Sequence, residues 1–175
     1  MARAYGLDLG SITGIAWSED GTVSSSRSEA VSFKPARGES HGVRFMRFRR
    51  WLADTIDEPE ASIVFYEWVH PATHRSAYAT QAYCGFLSIL EAFCEERNIA
   101  YMGLGVAEIK KHATDNGNAS KAKMLASAYS KFGALESEDA ADALWVLDLG
   151  LSRIDWGDFG AARDDVWRTR PDPEL

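Results

Sequence analysis

Cysteine is scarce: Cys84 and Cys94 are the only two in 175 residues, and no Cys-x-x-Cys pair occurs. They carry neither a redox nor a zinc signal and read as reduced, core-facing thiols in one helix. Long hydrophobic runs are missing too. No segment approaches the ~18 apolar residues that a membrane span requires, and no basic-then-apolar leader opens the sequence, so the expectation is a cytoplasmic protein with no membrane contact. Internal repeats and low-complexity tracts are absent. A chain of this length with 46% apolar residues can bury one substantial core and is short for two, so one globular domain is expected.

A basic excess is also lacking. The net charge is −7, which argues at first against a nucleic-acid partner, because phosphate contacts need a basic footprint. Its distribution changes the reading. Residues 134–175 hold 11 acids against 4 arginines, leaving 15 acids and 15 bases in residues 1–133. The body of the chain is neutral overall, with room for a local basic patch.

What is present is an alternation of strand and helix patterns. ARAYGLDLG reads as a strand, Gly10 and Ser11 as a tight turn, TGIAWS as the hairpin partner and GTVSSSRSEAVSF as a third run. Helices are predicted over about 41–56, 76–97, 106–112, 120–132 and 138–151, with ASIVFYEWV and NIAYMGL as two further strands. A three-strand meander followed by alternating helices and strands implies an α/β sheet of mixed direction. From Arg153 the tail, with Pro171 and Pro173, loses periodicity and reads as a surface extension.

Carboxylates stand where apolar residues are expected. In SEDAADALWVLDL the last helix is apolar on nearly all sides and therefore buried, yet Asp139 and Asp142 lie three residues apart on one face. Ser137 as an N-cap and the helix dipole account for Asp139, but less well for Asp142 in the second turn. Asp8 interrupts YGLDLG on the strand face that also carries Gly6 and Gly10, so that this face is expected to leave room for a ligand or a hydrated metal. Glu67 closes the strand IVFYE, at the carboxyl end where α/β sheets open a crevice. These four hard oxygen ligands, with no accompanying Cys or His set, suit Mg²⁺ or Mn²⁺. Two such ions can activate a water and stabilise the leaving oxygen of a phosphodiester.

GLDLGSITGIAW, the YEW strand end and EDAADAL together resemble the RuvC-type Holliday junction resolvases of the RNase H-like superfamily, a bacteriophage-type member in particular. The resemblance spans about residues 3–152. It implies an RNase H-like mixed five-stranded sheet, a three-strand antiparallel meander plus parallel strands, flanked by helices. It also implies a nuclease domain over 1–152 with an acidic extension over 153–175. Asp8, Glu67, Asp139 and Asp142 would hold two Mg²⁺ or Mn²⁺ ions, with no small-molecule cofactor. The substrate implied is branched DNA, chiefly four-way junctions, cut by paired nicks that leave 5′-phosphate and 3′-hydroxyl ends.

By the same resemblance Lys110 and Lys121, in VAEIKKHATDNGNASKAKM, contact DNA near the scissile phosphate, and Lys121 offsets charge at the metals. The loop WVHPATHR would enter the junction, with Trp68 and His70 as candidate stacking rings and Arg75 as a phosphate contact. His70 and His74 are spaced for a metal pair, but Pro71 between them disfavours a regular helix. In VRFMRFRRW a helical projection places Phe45, Phe48 and Leu52 inward and gathers Arg44, Arg47 and Arg50 on another face, a phosphate-tracking surface preceded by Lys34 and Arg37.

A two-fold symmetric junction needs paired nicks, so a homodimer is expected; Ala77, Ala79, Ala82 and Gly85 on the second helix would allow a close approach there. Two other readings compete. One is a nonenzymatic branched-DNA-binding protein on the same fold. The other is an actin-like nucleotide-binding domain, since GLDLGSITG also looks like a first phosphate loop; no second such loop accompanies it.

Overall fold

The computed structural model describes residues 3–56, 62–70 and 76–154, together with the backbone of 168–169. Five strands, β1 (Arg3–Asp8), β2 (Ile12–Ser18), β3 (Arg27–Ser32), β4 (Ser62–Trp68) and β5 (Ala100–Gly105), form the expected mixed sheet. β1 pairs antiparallel with β2 and β2 with β3, whereas β1–β4 and β4–β5 are parallel. A two-residue strand β6 (Arg168–Thr169) adds a parallel edge beside β5, completing the order β3-β2-β1-β4-β5-β6. The C-terminal extension therefore joins the sheet, where the loss of periodicity suggested surface only. Two residues are too few to show an alternating pattern in the sequence.

The five helices are α1 (Val43–Thr55), α2 (Ala77–Glu96), α3 (Val106–Thr114), α4 (Lys121–Phe132) and α5 (Glu138–Ser152). Serines start three of them. Ser76, Ser120 and Ser137 sit in extended backbone at the N-caps and accept from the amides of Ala79, Lys123 and Ala140, satisfying donors that have no partner inside a helix. No helix among the described residues is long and apolar enough to cross a membrane.

The period-two alternation of β1 and β4 divides the core. Tyr5, Leu7, Val64 and Tyr66 face α1 and α2, where Phe33, Phe48, Phe86 and Phe93 join a largely aromatic layer. Phe86 packs edge-on against Phe48 with ring centres 5.1 Å apart. Ala4, Ile63 and Phe65 face the other way, onto α3, α4 and α5. Asp8 and Glu67 fall in phase with this second set, under α5.

Glycine controls how closely α5 approaches. A Cβ on Gly6 would stand 2.6 Å from the Leu147 amide nitrogen and 2.7 Å from the Ala143 carbonyl oxygen, and one on Gly14 would overlap the Asp139 carbonyl. The space above Gly6 is thus filled by helix backbone, which corrects the expectation that it admits a ligand. Gly85 is likewise turned inward: a Cβ there would run into the Phe45 ring of α1. It serves the α1–α2 contact and not an exposed helix face.

Candidate active site

Backbone register carries four acids to one end of the sheet. Asp8 ends β1, and its neighbour Leu7 pairs with Tyr66, so Asp8 and Glu67 emerge side by side from parallel strands. Across the hairpin Asp8 pairs with Gly14, and Gly14 lies directly beneath the Asp139 carbonyl. The close seat of α5 therefore delivers Asp139, and one turn later Asp142, over the end of β1. All four are half-buried.

The electrostatics follow from this crowding. Burial first, then the charges of Glu67, Asp142 and Asp139, hold the Asp8 carboxyl well above the ordinary carboxylate range. Glu67 is pushed up to about 7, chiefly by burial and next by Asp142, while its hydrogen bond with Asp8 and the charge of Lys110 oppose the rise. Burial also raises Asp142, against the pull of Lys121. Such a set retains protons that solvated acids would have lost, and a cation is the other means of neutralising it.

The residues fit a hard divalent cation in kind: four carboxylates, no sulfur, and surplus negative charge. Among the described residues no three such side chains already stand close enough to enclose an ion. Asp8 and Glu67 instead hydrogen-bond to each other, which requires a proton between them, and a bound cation would take that proton's place.

Two solved structures share the architecture. A T. thermophilus RuvC in complex with Holliday junction substrate aligns with a TM-score of 0.66 at 18% identity, over 87% of this chain and 94% of that one. A Thermus thermophilus RuvC structure aligns with a TM-score of 0.66 at 19% identity, over 85% and 93%. The fold is that of RuvC. No protein-family model and no curated protein matches the sequence.

Within the RuvC fold, a cleft of about 200 Å³ opens beside the acids, lined by Glu67, Ile109, Lys110, Lys121, Met124 and Asp142. Lys110 comes from α3 and Lys121 from the first position of α4, so the two lysines converge on the carboxylates from different helices. Lys121 Nζ is held by Glu138 Oε2 at 2.7 Å. Glu138 was not anticipated as part of the site; an acid in a first turn reads as a dipole partner until its neighbour across space is known.

Beyond the strand end, Tyr83 pins the chain: its hydroxyl donates to the Glu67 carbonyl at 3.0 Å and accepts from the Val69 amide at 2.9 Å. Trp68 packs against the α1–α2 core, and its ring meets the exposed His70 edge-on at 5.7 Å. Arg75, Pro71 and His74 lie outside the described residues.

The basic face of α1 needs correction. Arg44, Arg47 and Arg50 do not form one solvated row: Arg44 is buried at 5% exposure, while Arg47 pairs with Glu39 at 2.7 Å and Arg50 lies 3.8 Å from Asp54. Arg44 belongs to the first turn, where α1 meets the start of α2, so its side chain points between elements and not into solvent.

A buried acid outside the cluster also escaped the sequence reading. Asp148, at 5% exposure, binds His112 Nε2 at 2.7 Å and Lys131 Nζ at 2.5 Å, tying α5 to α3 and α4. One acid near the end of a helix gives no pattern to read; its partners are 17 and 36 residues away.

Proposed function

We propose that this protein is a metal-dependent, structure-selective endonuclease that resolves four-way DNA junctions and related branched DNA by paired phosphodiester nicks, leaving 5′-phosphate and 3′-hydroxyl ends. The observation that carries the reading is the convergence of Asp8, Glu67, Asp139 and Asp142 at the end of β1, where burial and then neighbouring carboxylates raise the proton affinities of Asp8, Glu67 and Asp142. Its support from outside the chain is the shared fold with RuvC, one structure of which is a complex with a Holliday junction substrate.

The four carboxylates would hold Mg²⁺ or Mn²⁺, two ions per site, which when bound would polarise the scissile phosphate and lower the pKa of an attacking water. The chain's own groups have separate tasks. Lys110 and Lys121 line the cleft with the acids and offer two cations to a phosphate entering it. Glu138 keeps Lys121 extended over the first turn of α5. The Tyr83 bonds to Glu67 and Val69 hold the strand end rigid, so that Glu67 is not free to swing away. His70, Arg75, Arg47 and Arg50 are assigned to phosphate or base contacts outside the cleft, with Trp68 supporting His70 from below.

Residues 1–152 form the nuclease domain in this reading and 153–175 an extension. A four-way junction presents two equivalent strands to cut, so the working form is a C2 homodimer, with the small residues Ala77, Ala79 and Ala82 of α2 assigned to its contact.

The test is cleavage of a labelled synthetic four-way junction beside a linear duplex of the same sequence, in Mg²⁺, Mn²⁺ and EDTA, with wild type and Asp142→Asn. Metal-dependent paired nicks on the junction alone, abolished in the variant, are expected. Equal cutting of both substrates would make the protein a general nuclease. A second reading, a branched-DNA-binding protein without cleavage, is favoured by one observation: no three acids yet enclose an ion among the described residues. Tight junction binding with no nicks in Mn²⁺ would decide for it.

A further inference from the structure

A buried cation without a carboxylate stands near the acidic cluster. Arg44 is 5% exposed, and the partners of its guanidinium are neutral: Nη1 donates to Ser11 Oγ at 3.2 Å, and Nη2 to Tyr78 OH at 2.7 Å and His41 Nδ1 at 3.2 Å. Its Nε is buried with no hydrogen-bond partner. Among the described residues no carboxylate pairs with it. Burying a charge in this way is expensive unless an opposite charge arrives.

The protons in this cluster are constrained. A guanidinium only donates, so Ser11 Oγ, Tyr78 OH and His41 Nδ1 must each accept from it. The Ser11 and Tyr78 hydroxyls then keep their own hydrogens to give. His41, accepting at Nδ1, carries its proton on Nε2 in the neutral ring. Tyr78 OH lies 3.3 Å from Nδ1, a long bond that an incoming oxyanion would outcompete. The result is three donors, each polarised by one buried positive charge. Tyr78 is 55% exposed and His41 is exposed, so the donors meet solvent while the charge behind them does not.

We propose that Ser11, His41 and Tyr78, backed by Arg44, form a phosphate-binding site for a backbone phosphate of the bound DNA, distinct from the phosphate in the carboxylate cleft. The inference rests on the nuclease reading above. Ser11 is three residues beyond Asp8, so the chain between them spans at most roughly 10 Å. With one phosphate per 3.4 Å of axis along each strand, the recognised phosphate lies within a few nucleotides of the cut. Three neutral donors anchored on one cation suit a group with several acceptor oxygens, a phosphate more than a carboxylate.

The experiment is junction binding in EDTA by fluorescence anisotropy, using DNA with a single neutral methylphosphonate placed in turn at each of six linkages on either side of the cut. Wild type should lose affinity three- to tenfold at one linkage outside the cut position. Tyr78→Phe should bind unmodified DNA three- to tenfold more weakly and lose its sensitivity to that one linkage. Where Tyr78→Phe lowers the melting temperature, Ser11→Ala serves as the second variant with the same expectation. Identical methylphosphonate maps for wild type and both variants would overturn the site while leaving the nuclease reading intact. Should wild type neither bind nor cut junction DNA, the nuclease reading falls, and thermal melting in inorganic phosphate judges the site alone. A rise for wild type that Ser11→Ala lacks would retain an anion site for free phosphate, and equal rises would remove it.

Discussion

Replacing Glu67 by glutamine should stabilise the protein at neutral pH while removing its metal response. In the folded chain Glu67 titrates at about 7 against an ordinary 4.5. Between these values the folded state holds a proton that the unfolded chain has released, so stability falls as pH rises through that window. At about 1.4 kcal/mol per pH unit the full loss is about 3 kcal/mol. Asp8 and Glu67 share one hydrogen bond, so one proton is counted for the pair. For a chain of this size each kcal/mol moves the melting temperature by about 2–4 °C, which makes the wild-type decline about 6–12 °C between pH 4.5 and 8. A glutamine amide can donate to the Asp8 carboxylate without carrying charge, so Glu67→Gln should decline much less. The assay is thermal unfolding followed by circular dichroism from pH 4.5 to 8.5, in EDTA and in 10 mM Mg²⁺. Added Mg²⁺ should restore the wild-type melting temperature at pH 8 and leave the variant nearly unmoved. Superimposable pH profiles for the two proteins in EDTA would refute the account of the acidic cluster.

Three further outcomes follow from the same contacts. Gly14→Ala forces a methyl into the Asp139 carbonyl and should cost about 3 kcal/mol or more in urea unfolding, with α5 displaced from the sheet and Mg²⁺ stabilisation lost even where the protein still folds. Asp148→Asn leaves Lys131 and His112 without their common anion; because both partners reach solvent the loss should be about 2 kcal/mol, with junction cleavage per folded molecule unchanged. Ser137→Ala removes the hydroxyl that accepts from the Ala140 amide and should cost about 1 kcal/mol, read as a shift in urea midpoint at constant slope.

The elements that positioned the acids were legible because each obeys a one-dimensional rule. Alternation in YGLDLG and SIVFYE assigns Asp8 and Glu67 a face, and the spacing of Asp139 and Asp142 assigns them another. Helix limits agreed within about two residues wherever a serine cap marked the start. The features that escaped are those fixed by a neighbour distant in sequence. A glycine shows that something lies close, but not what: Gly6 receives α5 where the sequence suggests ligand space, Gly85 receives Phe45 where it suggests a helix contact between subunits, and Gly14, without a sequence signal of its own, also seats α5. The projection of α1 grouped Arg44 with Arg47 and Arg50 because it knows angles around one axis and nothing of α2 beside it. Asp148 and Glu138 needed their partners Lys131 and Lys121 in view.

The glycine seats and the chemistry are linked through one distance. If Gly6 and Gly14 carried side chains, α5 would ride higher on the sheet, Asp139 and Asp142 would stand off from Asp8, and Asp8, Glu67 and Asp142 would titrate nearer their ordinary values. The proton affinity of the cluster, and hence its appetite for a cation, is therefore a consequence of backbone packing at two positions that bear no chemistry of their own. The same reasoning separates two ways in which the cluster would lose its response to a cation. A carboxylate replaced by its amide should remove metal response and raise stability, whereas a glycine replaced by alanine should remove both together.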